Sequence, residues 1–150
     1  MSVDPPAGCF VDTNILVYAH REDAVWHVPA LNAVTALAEQ RAPWAIPWPS
    51  LHEFLAIATH PRIYRPPTPL EIACAQVEAW LESPSLVLLA ESDDYWQTLR
   101  PSIMAARIAG PAVHDARIAA LCLAHGVREL WTHDRDFGRF PAVNVRNPLL

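Results

Sequence analysis

Residues 9–19 read Cys9-Phe10-Val11-Asp12-Thr13-Asn14-Ile15-Leu16-Val17-Tyr18-Ala19. The apolar run Cys9 to Val11 has the length and character of a strand buried on both faces of a parallel sheet. It stops at Asp12, and the apolar residues after Asn14 suit a short helix. A carboxylate therefore stands at the carboxyl end of a strand and the amino end of a helix. Open α/β sheets bind their ligands at that edge. Asp12 or Asn14 can equally serve there as a helix cap, so the other acids of the chain have to decide between the two.

Outward from this stretch, strands and helices alternate. Leu31, Val34, Leu37 and Ala38 recur at helical spacing over 27–41, with Pro29 near the start. Residues 44–48 are a short apolar strand in which Pro47 removes one ladder donor. A helix is predicted to open at Ser50 and to run through Leu51, Phe54, Leu55 and Ala58. Four prolines and two arginines between His60 and Pro69 make a stiff, exposed connection. Leu70, Ala73, Val77, Trp80 and Leu81 mark the next helix, closed by Ser83-Pro84. Residues 86–90 form an apolar strand, and Asp93 or Asp94 can cap a helix carrying Trp96, Leu99 and Ile103, with Pro101 inside it. After Ala109-Gly110-Pro111, a helix over 113–125 ends at Gly126. A strand over 129–132 leads into His133-Asp134-Arg135-Asp136-Phe137, and a last strand is predicted over 143–145. The alternation predicts one α/β domain over 1–150 with a mainly parallel sheet.

Composition narrows the classes. With 52% hydrophobic residues in 150, the chain is long enough to bury a core. No apolar run approaches the roughly 20 residues of a membrane span, and Met1 to Pro6 has neither the basic nor the apolar region of a signal peptide. Cys9, Cys74 and Cys122 lie far apart without C-x-x-C spacing. They are expected to be reduced core thiols of a cytoplasmic protein. The net charge of −5 speaks against a broad basic nucleic-acid surface, and all 11 basic residues are arginine. The absence of lysine excludes a phosphorylated receiver, which requires one. Asn14 stands where a haloacid-dehalogenase-type phosphatase needs its second aspartate. Ala56 stands where H-E-x-x-H needs its second histidine, and four glycines leave no phosphate-binding loop.

Acids fall at comparable places in this layout: Asp12 after the first strand, Glu53 in the first turn of the helix after the second, Asp115 near the start of the 113–125 helix, and Asp134 with Asp136 after the 129–132 strand. Each has a local use as well. Ser50-x-x-Glu53 matches a capping box, Asp115 suits the helix dipole, and Asp134 and Asp136 suit Asx turns. Taken together, a parallel sheet gathers these element ends at one edge. Clustered carboxylates repel one another unless a cation neutralises them. Oxygen-only donors favour Mg²⁺ or Mn²⁺, and such ions serve the hydrolysis of phosphate esters.

Four stretches, in this order and spacing, carry a family resemblance: Val11-Asp12-Thr13-Asn14-Ile15-Leu16, Ser50-Leu51-His52-Glu53-Phe54, His114-Asp115-Ala116-Arg117-Ile118-Ala119-Ala120 and Thr132-His133-Asp134-Arg135-Asp136-Phe137. The chain resembles a PIN-domain ribonuclease, most closely the VapC-type toxins of bacterial toxin–antitoxin operons. The resemblance implies a three-layer α/β/α sandwich, Mg²⁺- or Mn²⁺-dependent endonucleolytic cleavage of RNA (transfer RNA among the candidates), a homodimer, and inhibition by a cognate antitoxin. It also implies that Asp12, Glu53, Asp115 and Asp134 form the catalytic, metal-holding quartet, with Asp136 as a further acid of the last motif. Thr13, Asn14 and Thr132 are expected to orient these ligands, and Arg117 is a candidate phosphate contact. The alternative is a degenerate PIN-like domain that binds RNA or a protein without cutting.

Overall fold

The computed structural model describes residues 8–150; the stretch Met1 to Pro6, unlike a signal peptide in sequence, lies outside the described residues. Five strands, β1 (Cys9–Val11), β2 (Trp44–Pro47), β3 (Leu86–Leu89), β4 (Glu129–Trp131) and β5 (Val145–Arg146), alternate with six helices. The helices are α1 (Thr13–His20), α2 (His27–Glu39), α3 (Trp48–Ala58), α4 (Leu70–Leu81), α5 (Trp96–Ala106) and α6 (Val113–Ala124). All strand pairs are parallel, in the order β3-β2-β1-β4-β5. The chain order runs outward from β1 to β2 and β3 on one side and resumes at β4 and β5 on the other. The crevice beyond the carboxyl ends of β1 and β4 is therefore the topological switch point, where ligands of such sheets bind.

Alternating strand residues sort into two cores. Cys9, Val11, Trp44 and Ile46 pack with α1 to α4. Phe10, Ala45, Leu89 and Leu130 pack with α6 and the partly buried residues of α5. This is the expected three-layer α/β/α sandwich. All of β1 is buried, which is why its residues are apolar without alternation. No helix among the described residues is long and apolar enough to cross a membrane.

Several local expectations change. The last strand is Val145–Arg146, because Val145 pairs with Leu130 and Arg146 with Trp131. Neither Asp93 nor Asp94 caps α5, whose cap position is Tyr95 without a side-chain bond; the Asp94 carboxylate accepts from the Ser92 hydroxyl instead. Of the three free thiols, Cys9 and Cys122 are buried, but Cys74 is exposed on α4. Its neighbour Ala73 takes the inward position of that helix. The 60–69 connection is pinned at its end: Thr68 N donates to Ala58 O at 2.8 Å, and Arg21 stacks over the Tyr64 ring at 4.3 Å.

The correction that bears on the site concerns α3. Pro47 ends β2, past its last pairing with β1 at Ala45, and the helix begins at once at Trp48, with Pro49 in its first turn. Ser50 is thus inside the helix and fully buried, and its hydroxyl has no hydrogen-bond partner among the described residues. The capping box is not made, and Glu53 is free to turn elsewhere. An unpaired buried hydroxyl is a cost rather than a cap. Ser50→Ala is therefore expected to leave thermal stability unchanged or to raise it, by no more than about 2 kcal/mol. A loss of about 1 kcal/mol or more in denaturant unfolding, the typical price of a lost cap, would restore the capping role.

Candidate active site

Asp12 lies at the end of the central strand, where its own N–H donates to Trp131 O at 3.0 Å and ties the ends of β1 and β4 together. Its side chain is only 6% exposed. Oδ1 accepts from Thr13 N at 2.8 Å, so Asp12 does cap α1. Oδ2 accepts from the Thr132 hydroxyl at 2.8 Å and, more distantly, from Asn14 Nδ2 at 3.5 Å. The two sequence readings of Asp12 are thus compatible, because one oxygen caps while the other faces β4.

Thr132 and Asn14 knit the crevice. Asn14 Nδ2 donates to Thr132 Oγ1 at 3.1 Å, and Asn14 Oδ1 accepts from His133 N at 3.2 Å. Thr132 Oγ1 also accepts from Asp134 N at 3.0 Å, fixing the start of the turn that carries Asp134 and Asp136. Thr13 donates to Glu53 Oε2 at 2.8 Å and aims that carboxylate from α3 into the same space. Thr13, Asn14 and Thr132 each bridge separate elements, as orienting residues must.

Asp12, Thr13, Asn14, Glu53, Asp115 and Asp134 line one cleft of about 200 Å³ together with His114, Ile57 and Ile118. All four acids of the expected quartet reach it. The tightest grouping is different: Asp115, Asp134 and Asp136 each offer an oxygen within 4.8 Å of the others, while Asp12 and Glu53 stand outside that group. Asp134 uses Oδ1 to accept from Asp136 N at 2.8 Å. Asp136, the most exposed of the three, pairs with Arg139 of the same 3₁₀ turn, Nη2 to Oδ2 3.5 Å. Arg117 is not among the cleft's lining residues; its Nε donates to Glu91 Oε1 at 3.0 Å. Arg139 went unremarked in the sequence. The available signal was its spacing of three from Asp136.

The electrostatics follow from this crowding. Burial pushes the Asp12 carboxyl up to about 6, against the Thr132 and Thr13 hydrogen bonds that favour its charged form; Glu53 and Asp115 push it further up. Burial also raises Asp115, followed by repulsion from Asp134, while Arg139 works in the opposite direction. Carboxylates brought together from the end of β1, from α3, from α6 and from the turn after β4, and mutually repelling, are a donor set suited to a hard divalent cation rather than to a soft metal.

Comparison with known proteins points to a family. A PIN domain family model matches residues 9–143. Ribonuclease VapC43 of Mycobacterium tuberculosis is 32% identical over 139 residues, covering 93% of this chain and 94% of its own. Ribonuclease VapC48 of the same organism is 28% identical over 137 residues, covering 91% and 94%. Among solved structures, VapBC-1 from nontypeable Haemophilus influenzae superposes with a TM-score of 0.68 at 14% identity, over 95% of this chain and 98% of that one. The sarcin-ricin loop cleaving toxin VapC20 of M. tuberculosis gives 0.66 at 15%, over 87% and 92%. At such identities the likeness is one of fold.

The raised Asp12 carboxyl has a consequence for stability. A folded-state value of about 6 against 3.8 means that the native state binds more protons than the unfolded chain between those limits. Stability from this group is then complete below about pH 4 and is lost as pH rises through about 6, by up to about 3 kcal/mol. Denaturant unfolding in chelator from pH 4 to 7 should show wild type losing stability relative to Asp12→Asn as pH rises. Parallel curves for the two proteins would show that Asp12 is not held protonated.

Proposed function

This chain belongs to the PIN domain family, and from that premise we propose that it is a divalent-metal-dependent endoribonuclease acting as the toxin of a toxin–antitoxin pair. The observation that carries the reading is the cleft at the switch point, where Asp12, Glu53, Asp115 and Asp134 meet with Asp136 at its rim. Its relatives named ribonucleases match over nearly their whole length. RNA is the substrate class they support, and a cognate antitoxin and a second copy of this chain are the partners that kinship implies.

Asp115, Asp134 and Asp136 would hold the cation, with Asp12 and Glu53 lining the same cleft. Bound there, Mg²⁺ or Mn²⁺ would stabilise charge building on a phosphodiester and make water a better nucleophile. The chain's own residues do the rest. Thr132 holds Asp12 and the Asp134 backbone with one hydroxyl, so the two acids keep a fixed relation across β1 and β4. Thr13 orients Glu53 through its hydroxyl, which donates to Oε2. Ile57 and Ile118 line the cleft with apolar surface, which strengthens the charge interactions beside it. Asp12, easily protonated when alone, is the acid whose charged state a cation most needs to stabilise.

The test is incubation of purified protein with total RNA, with Mg²⁺ or Mn²⁺ or with chelator, followed by mapping of the new ends. Cleavage at defined positions is expected only with the divalent ion. Asp115→Asn should lower it by roughly 100-fold or more, the scale of removing one electrostatic contact to a transition state, with circular dichroism unchanged. RNA bound but left whole under all conditions would favour the non-cleaving PIN reading. Glu53→Gln separates two roles in one variant: because no capping box exists, its melting temperature should hold while cleavage collapses. Retained turnover would remove Glu53 from the site.

A further inference from the structure

RNA carries a charge at every nucleotide, so a cleft lined by acids needs cationic groups on the path along which the strand lies. The residues lining this cleft include no arginine, and the chain has no lysine. Arg117 follows Asp115 by two residues, Arg135 lies between Asp134 and Asp136, and Arg139 lies three residues beyond Asp136. Arg117 turns to Glu91, which lies outside the cleft. Arg139 turns to Asp136, which belongs to the carboxylate trio itself.

The anchoring of Arg139 is unequal along its guanidinium. Nε donates to the Asp136 carbonyl at 3.0 Å, a bond that fixes the side chain over its own turn. Nη2 reaches the Asp136 carboxylate only at 3.5 Å, with the two side chains 34% and 63% exposed. A pair so open to solvent is weak and readily exchanged. On its other side Arg139 borders a groove of about 370 Å³ with Phe140, Pro101 and Gln97. It therefore stands between the carboxylates and open surface, with a planar fork suited to phosphate.

We propose that Arg139 is a substrate-contacting residue that takes a backbone phosphate of the RNA, and that Asp136 gives it up when the trio Asp115, Asp134 and Asp136 engages a divalent cation. This rests on the ribonuclease reading above and deepens it. Without a cation, Asp136 and Arg139 neutralise each other. Once the Asp136 charge is shared with a cation, the outer amines of Arg139 are left uncompensated beside the cleft, while its Nε bond keeps it in place. Metal loading then prepares a phosphate contact, and by reciprocity bound RNA strengthens metal binding.

The test uses the full chain with Arg139→Gln and Arg139→Lys. In calorimetric titration with Mn²⁺ alone, Arg139→Gln is expected to bind the ion several-fold more tightly, because no guanidinium competes for Asp136. On a single-stranded RNA oligonucleotide its KM should rise about tenfold with kcat held within about threefold, the pattern of a lost binding contact. The slope of log KM against log salt should become shallower by about 0.7, one phosphate on a single strand. Arg139→Lys keeps the charge and should restore the salt slope, but recover KM only in part for want of the fork. Should Arg139→Gln fold poorly by circular dichroism, Arg139→Met, which also removes the charge, carries the same comparison. RNA cut by wild type and by Arg139→Gln with equal KM and salt slope would overturn the phosphate role alone. RNA left uncut by wild type would overturn the ribonuclease reading and this role with it. Mn²⁺ affinity unchanged in Arg139→Gln would overturn the exchange at Asp136.

Discussion

The carboxylate of Asp12 is buried at the end of the central strand, and the arrangement of the site follows from what it takes to hold it there. A buried acid must have its oxygens satisfied or give up its charge. One oxygen is met by the first N–H of α1 and the other by the hydroxyl of Thr132, the residue after β4. The second bond is possible only because β4 pairs directly with β1, in the register that sets Val11 beside Trp131. The same hydroxyl accepts from Asp134 N. The sheet order thereby reaches the tail motif through one threonine, and Asn14 braces the junction from the other side.

Function and stability pull against each other around this point. A fold optimised for stability alone would not gather Asp12, Glu53, Asp115 and Asp134 in one cleft of limited solvent access. The strain appears in the raised carboxyls of Asp12 and Asp115. The two cores flanking the sheet compensate through apolar burial, with Phe10, Ile15, Leu16 and Phe54 fully enclosed. Asp136 is placed differently from its neighbours. It is exposed, with its side chain 63% accessible, and it pairs with Arg139.

The helix after β2 shows why a local pattern can point to the wrong interaction. Ser50-x-x-Glu53 has the composition of a capping box, but helix α3 starts two residues earlier, with Pro49 already in its first turn. A start at Trp48 carries Ser50 into the packed interior and swings Glu53 to the face that meets Thr13. Thr13 is 40 residues distant in the chain, so no window around Glu53 contains the group that orients it. The same limit applies to Asp93 and Asp94, suitable caps that α5 does not use, and to Cys74, whose apolar neighbours gave no sign that it faces solvent.

By itself the sequence determined the alternation of short buried strands with amphipathic helices, because burial on two faces demands continuous apolar runs and burial on one demands helical spacing. It also determined that Asp12, Glu53, Asp115, Asp134 and Asp136 stand at or near the same ends of their elements. Those properties are local, and each follows from a few adjacent residues. The tertiary structure alone decided which acids approach within 4.8 Å, that Asp136 joins Asp115 and Asp134 while Asp12 and Glu53 stand outside that group, and that Arg139 pairs with Asp136 while Arg117 pairs with Glu91. Strand order, helix start and side-chain direction set these distances, and they depend on contacts between residues far apart in the chain.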